Sequence, residues 1–166
     1  EKNSRDLAKK AAMFRDVAAF GIFRKAFDPT KIYGDGKPFM SIAHPRKDGG
    51  TAQANTFADG VQDTLSYNAV KEAEDVLIEV VSNSGMPLDV AMNGKLVLMV
   101  TPFNRVEALK IAETDFGVPG EDVWGMNYYK GRNFDVLVNP YISHRYAVQM
   151  GETTQGTKVA YDKRWF

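Results

Sequence analysis

The sequence of 166 residues contains no cysteine. This absence excludes disulfide bonds, thiolate zinc sites and a cysteine nucleophile. The chain also lacks an excess of charge, because 21 basic and 21 acidic side chains balance, whereas a dedicated nucleic-acid-binding domain is normally markedly basic. No apolar run reaches the ~18 residues that a membrane-spanning helix needs, so no such helix is predicted.

The composition is that of an ordinary globular protein, with 44% hydrophobic and 25% charged residues. The length suits one domain or slightly more. The chain begins at Glu1 and ends at Phe166, inside a predicted strand. Because large aromatic residues make poor chain ends, we expect this sequence to be a piece of a longer protein or the ordered part of one.

Hydrophobic periodicity predicts three helices, over residues 4–27, 66–81 and 102–116. Ser66 is the expected N-cap of the second helix, and Pro102 takes the first position of the third. The residues expected on the buried faces are Leu7, Ala11, Phe14, Ala18 and Ile22, then Val70, Ala73, Leu77, Val80 and Val81, then Val106, Leu109, Ala112 and Phe116.

Apolar runs predict strands over residues 95–100 and 134–138, the first of them covered on both faces. Residues 145–150 and 158–166 are predicted to form two strands of a hairpin. Since helices and strands occur in mixed order, the expected fold class is α+β. Residues 28–64 are instead rich in glycine and proline. A connection of this length with little regular structure indicates a binding or packing loop.

Charge is distributed unevenly along the chain. Residues 1–50 hold 11 basic and 6 acidic side chains, and residues 51–166 hold 10 and 15. The first predicted helix places its basic residues, Arg24 and Lys25 among them, opposite the apolar stripe. One interpretation is that these are solvated helix faces. The other is complementarity between copies, with a basic segment of one meeting an acidic segment of the next.

The sequence offers little that catalysis requires. His44 and Asp48 resemble part of a metal site but lack a third ligand at useful spacing, and neither His44 nor His144 accompanies a serine-nucleophile motif. The segment Gly34-Asp35-Gly36-Lys37 is not a phosphate loop, because Pro38 follows the lysine. We therefore expect no enzyme, no cofactor and no metal. The acidic cluster of the second predicted helix is interpreted as a solvated face; its members are Glu72, Glu74, Asp75 and Glu79. The aromatic residues Trp124, Tyr128 and Tyr129 are interpreted as a packed or interface patch rather than as a site that stacks on a base or sugar.

Six short stretches of the sequence follow one another in an order that is typical of one protein family. They are residues 34–45 with Gly49-Gly50 ("dG-x-PLFStaHP…GG"), Asn55 with Leu65-Ser66 ("N…LS"), Gly85-Met86-Pro87-Leu88 ("G-x-P-L"), residues 95–102 ("LvVpP"), residues 135–142 ("vVvNPyLt") and residues 163–166 ("W-ylL"). Together, in unbroken order over about residues 20–166, they resemble the major capsid proteins of tailed bacteriophages. The loop has Phe39-Met40-Ser41 where that family more often has Leu-Phe-Ser.

The resemblance implies the Hong Kong 97-type capsid fold, which encapsulin shells share. Residues 1–30 would then be the end of the spine helix, residues 31–90 mainly peripheral domain, and residues 91–145 mainly axial domain. Residues 146–166 would form returning strands that are cut short. In that family an N-terminal arm and an extended loop precede such a segment, and at least one strand follows it.

The function implied is that of a major capsid protein in the virion, assembled in the host cytoplasm as pentamers and hexamers around double-stranded DNA. Partners would be further copies, scaffold, portal and decoration proteins, and DNA contacted without sequence preference. The alternatives are an encapsulin-like compartment shell and a small hydrolase using His44. We expect the loop over residues 31–56 to make inter-subunit contacts. The candidate contact residues are Phe39, His44, Arg46, Trp124 and Tyr128.

Overall fold

A computed structural model describes residues 2–57, 64–82, 84–88, 94–115, 127–130, 134–152 and 158–166. This part of the chain mixes helices with a parallel strand pair, which agrees with the α+β class. The helices are α1 (Lys2–Ala19), α2 (Gly21–Arg24), α3 (Tyr67–Ile78), α4 (Arg105–Glu113), α5 (His144–Gln149) and α6 (Lys158–Asp162), with 3₁₀ turns at Pro102–Asn104 and Pro140–Ile142; the strands are β1 (Leu96–Val100) and β2 (Phe134–Val138).

The two predicted central strands are confirmed and pair in parallel. The register runs from Leu96 opposite Phe134 to Val100 opposite Val138. Helix α4 lies between them in sequence and packs on both strands. The expectation that β1 is covered on both faces holds only for its second half, since Val97 is half exposed. Two parallel strands need such a crossover connection. β1, α4 and β2 therefore pack together as one β–α–β unit.

The last two residues of the chain extend this pair on the other side of β1. The Met99 N–H donates to the Phe166 carbonyl over 2.7 Å, and the Phe166 N–H donates back over 2.8 Å. Trp165 bridges Val100 in antiparallel orientation and is itself buried. β1 is therefore hydrogen-bonded on both edges. The main core lies around it and comprises Phe57, Leu65, Ala69, Val70, Leu98, Val100, Ala108, Ile111, Tyr129 and Trp165.

Helix α3 begins where the sequence predicts. The Ser66 hydroxyl accepts a hydrogen bond from the Ala69 N–H over 3.1 Å, which confirms the N-cap. The prediction that Glu74 lies on a solvated face is wrong. Glu74 is buried, and its carboxylate accepts a hydrogen bond from the Tyr129 hydroxyl over 2.9 Å. A buried carboxylate needs such a donor, and the partner comes from a distant part of the sequence.

The first predicted helix is two helices with a break at Phe20, directly before Gly21. Glycine weakens a helix interior, and at this break the Arg24 side chain donates to the Val17 carbonyl over 2.9 Å. The prediction that the stripe from Leu7 to Ile22 is buried is also wrong. Leu7, Phe14 and Ile22 are 70%, 66% and 42% exposed, because nothing in the described part of the chain covers that face.

Arg24 is buried, contrary to the prediction that it lies on the polar side of its helix. Its guanidinium donates to both carboxylate oxygens of Glu152, over 3.0 Å each, and to the Tyr141 carbonyl over 2.8 Å. Lys25 lies 3.3 Å from the same carboxylate. Burial raises the pKa of Glu152, but the hydrogen bonds and charges of Arg24 and Lys25 lower it more, so the net pKa lies below its ordinary value.

The predicted C-terminal hairpin is wrong, because α5 and α6 occupy the segments expected to be strands. The Asp162 carboxylate accepts a hydrogen bond from the His144 N–H over 3.1 Å and so caps the start of α5. At the end of α6, the side chains of Thr101 and Asn104 donate to the carbonyls of Asp162 and Lys163. These capping groups come from elements that are distant in the sequence, so the local sequence pattern does not predict them.

Helix α4 is shorter than predicted and buries a different face. It ends at Glu113, with Ala108 and Ile111 buried and Val106 66% exposed. The preceding 3₁₀ turn at Pro102–Asn104 rotates the helix relative to an α-helix that starts at Pro102. Among the helices described, none is both long enough and apolar enough to cross a membrane.

Candidate functional site

Hydrogen bonds from side chains to the backbone order the loop over residues 31–56. The Asn55 side-chain carbonyl accepts from the Ser41 N–H over 2.8 Å, and its amide donates to the Phe39 carbonyl over 2.7 Å. The Asn55 N–H also donates to the Ser41 carbonyl. Asn55 therefore joins the two arms of the loop through hydrogen bonds of both its side chain and its backbone.

The loop is also tied to the segment that follows α3. His44 and Gln53 form an antiparallel bridge through both of their backbone N–H groups. The Gln53 side chain donates to the Val81 carbonyl over 3.0 Å and accepts from the Val81 N–H over 3.3 Å. No motif in the sequence indicates this role for Gln53.

The side chain of His44 pairs with Asp35. The sequence suggests a grouping of His44 with Asp48 instead. Its Nδ1 lies 2.5 Å from the Asp35 carboxylate. This hydrogen bond holds the pKa of Asp35 below its ordinary value. The other ring nitrogen, Nε2, is buried without a hydrogen-bond partner. A substrate would have to reach that atom for acid–base catalysis, and burial blocks this path.

The Arg46 side chain lies against glycines from two of the sequence motifs, Gly50 and Gly85. Its guanidinium binds both oxygens of the Asp48 carboxylate, and this hydrogen bond lowers the pKa of Asp48. A Cβ on Gly50 would stand 2.8 Å from the Arg46 Cζ, and a Cβ on Gly85 would stand 3.2 Å from Nη2. Gly85 also has a φ of +80°, which L side chains rarely adopt. A side chain at either glycine would push the guanidinium aside, and at Gly85 it would also strain the backbone.

Of the candidate contact residues, Phe39, His44 and Arg46 belong to this one loop. The Phe39 ring is partly buried and packs edge-on against Phe23, with centroids 5.5 Å apart. Tyr128 lies in a different turn, is 53% exposed, and contacts Tyr129. Trp124 lies outside the described residues. The contacts seen for Phe39 and His44 are within their own chain, and inter-subunit contacts stay a prediction.

Beside the loop lies an apolar groove with a cavity of about 160 Å³. Loop, helix α3 and the chain end all contribute to its walls. Small-molecule sites are usually larger, roughly 300 Å³ or more, and contain several placed polar groups. This cavity suits one or two apolar side chains instead. Its lining residues are Phe27, Met40, Asn55, Thr56, Phe57, Ala73, Val76, Leu77, Trp165 and Phe166.

Within the described residues, no three metal-ligating side chains come together. Comparison with protein-family models, with curated proteins and with solved structures finds no match to this chain. The functional conclusion therefore depends on the sequence motifs and on the geometry above.

Proposed function

We propose that this chain is part of the major capsid protein of a tailed bacteriophage, which assembles into the icosahedral shell around double-stranded DNA. One observation carries the proposal. The stretches that resemble that family are far apart in sequence, yet Gly50 and Gly85 from two of them pack on the same Arg46 guanidinium. Asn55, from a third stretch, ties the loop together. The motif residues thus build one structural unit.

The exposed surface supports an assembly role. Large apolar side chains lie exposed on several elements, where they are available for contacts with other copies. Shells use many repeated contacts, each modest, which together stabilise the closed particle. The exposed set includes Leu7, Phe14, Ile32, Ile42, Met86, Phe103 and Val106.

In this proposal copies of the chain form pentamers and hexamers, with scaffold, portal and decoration proteins as further partners. The mature protein resides in the virion and contacts packaged DNA through phosphates without sequence preference. A net charge of zero suits such a shell, because strongly basic subunits would bind nucleic acid before assembly.

A hydrolase using His44 is disfavoured by the buried Nε2 atom. An encapsulin-like compartment has the same expected fold and differs in its contents. The shell would then enclose a protein cargo instead of DNA.

The test is electron microscopy with sedimentation of the full-length protein, expressed alone and together with the scaffold and portal proteins of its genome. Closed shells or rings of five and six support the proposal. Shells that protect DNA from nuclease favour a phage capsid, whereas shells that retain only protein cargo favour a compartment. A protein that stays monomeric with its scaffold and portal present contradicts the proposal.

A further inference from the structure

Helix α1 extends from the rest of the described chain. Each of its described side chains from Asn3 to Arg15 is exposed, and Val17 is the first buried one. Isolated helices of about 12–15 residues are marginal in water. An α1 that is helical over this length therefore needs a surface to pack against.

The exposed part of α1 is amphipathic. Leu7, Ala11 and Phe14 fall at spacings of four and three, so they share one face. Lys10 and Arg15 flank this face, and both are exposed. The helix therefore presents an apolar stripe and a net positive charge, because its five basic residues outnumber Asp6 and Asp16, although Arg15 lies 3.6 Å from the Asp16 carboxylate.

The apolar groove has the complementary character. Ala73, Val76 and Leu77 of α3 line it, and Leu77 is 37% exposed. Glu72 and Glu79 lie one helical turn to either side of Val76, and both are exposed. The groove therefore offers an apolar floor beside an acidic edge, and its volume suits single side chains such as those of the α1 stripe.

We propose, building on the shell function proposed above, that α1 of one copy docks in the apolar groove beside α3 of a second copy. Charge selects this partner. Pairing α1 with another α1 would bring together two helices of net positive charge, whereas the α3 edge is acidic, and complementary charge favours that partner and its register. The two surfaces differ, so one copy can contact two others, one through α1 and one through its groove, and head-to-tail contacts of this kind can close into rings.

The test uses the absence of native cysteine. Ala11→Cys and Ala73→Cys variants of the full-length protein carry different tags, are mixed under assembly conditions, and are linked with a short bis-maleimide. Ala12→Cys is the matched control, because it is the neighbouring exposed alanine on another face of α1. The expected yield of cross-linked dimer that carries both tags is at least about fivefold higher for Ala11→Cys mixed with Ala73→Cys than for Ala12→Cys mixed with Ala73→Cys.

Three results would overturn the docking while leaving the shell intact. They are equal yields for Ala11 and Ala12 in samples that contain shells, a dominant product between two Ala11→Cys copies, and a link within single chains of an Ala11→Cys/Ala73→Cys double variant. If the same samples contain neither shells nor rings even with scaffold and portal proteins, the proposed function fails, and the docking fails with it.

Discussion

The Arg46 guanidinium lies against Gly50 so closely that a Cβ there would stand 2.8 Å from Cζ. Gly50→Ala must therefore shift the guanidinium, which weakens its two-oxygen contact with Asp48. We expect the free energy of unfolding to fall by about 1 kcal/mol, measured by urea denaturation.

Gly34→Ala is the matched control, because a Cβ at Gly34 meets nothing within 4 Å. It should be neutral or stabilising by up to about 1 kcal/mol, since alanine reduces the entropy of the unfolded chain. In an Arg46→Ala background, Gly50→Ala should lose its cost. An unchanged cost in that background would show that the guanidinium is not the obstacle.

The ion pair between Arg24 and Glu152 predicts a pH dependence of stability. The pKa of Glu152 is lowered in the folded state, so its contribution is complete above the unfolded pKa of about 4.3. The contribution is lost as the pH falls through the folded pKa. Glu152→Gln should lower the free energy of unfolding by about 2 kcal/mol at pH 7. The difference in this free energy between the variant and the unmodified protein should become smaller below pH ~4. Urea denaturation at a series of pH values measures both.

Glu113→Gln serves as the control for that series, because Glu113 is exposed at the end of α4. Its pH profile should follow that of the unmodified protein. A Glu152→Gln gap of the same size at pH 7 and pH 3 would contradict the assigned role.

The hydrogen bond from the Tyr129 hydroxyl to Glu74 predicts a loss on removal of that hydroxyl. Burial and this bond raise the pKa of Tyr129 far above its ordinary value, so the group stays a donor. Tyr129→Phe should lower the free energy of unfolding by roughly 1.5–3 kcal/mol, the range for hydrogen bonds to charged groups. Tyr33→Phe, at a partly exposed tyrosine, should change it by less than about 0.5 kcal/mol. Similar losses for both would remove the special role of Glu74.

Asn55 offers a local test of the loop. Asn55→Ala removes both side-chain bonds, so amide hydrogen exchange at Ser41 should accelerate about tenfold or more. Asn55→Asp keeps the acceptor for the Ser41 N–H and loses the donor to the Phe39 carbonyl. It should therefore preserve most of the Ser41 protection. Equal acceleration in both variants would place the protection elsewhere.

Features decided by local sequence were predictable. Ser66 caps α3 because a serine before an apolar-periodic run satisfies the first N–H groups of a helix. The apolar runs at residues 95–100 and 134–138 gave the two strands. The α+β class follows from these elements, whereas the capsid fold that the resemblance implies stays a proposal.

Features decided by distant partners were not predictable from pattern. Arg24 looks like a surface residue until Glu152 and the Tyr141 carbonyl are placed around it. Helix α5 forms where alternation favoured a strand, because Asp162 caps it from another element. In the loop, Gln53 belongs to no motif, and the motif that contains Asp35 does not indicate its partner; only the folded chain shows that they bind Val81 and His44.

The two ends of the Arg24–Glu152 pair are separated by 128 residues. During synthesis at ~5–20 residues per second, Arg24 exists without its carboxylate for roughly 6–26 s. α2 cannot be anchored in that interval, and β1 likewise waits for Trp165 and Phe166 to complete its second edge. β1 therefore keeps one unpaired edge until nearly all of these residues have been made, and during that interval the edge is open to pairing with another chain.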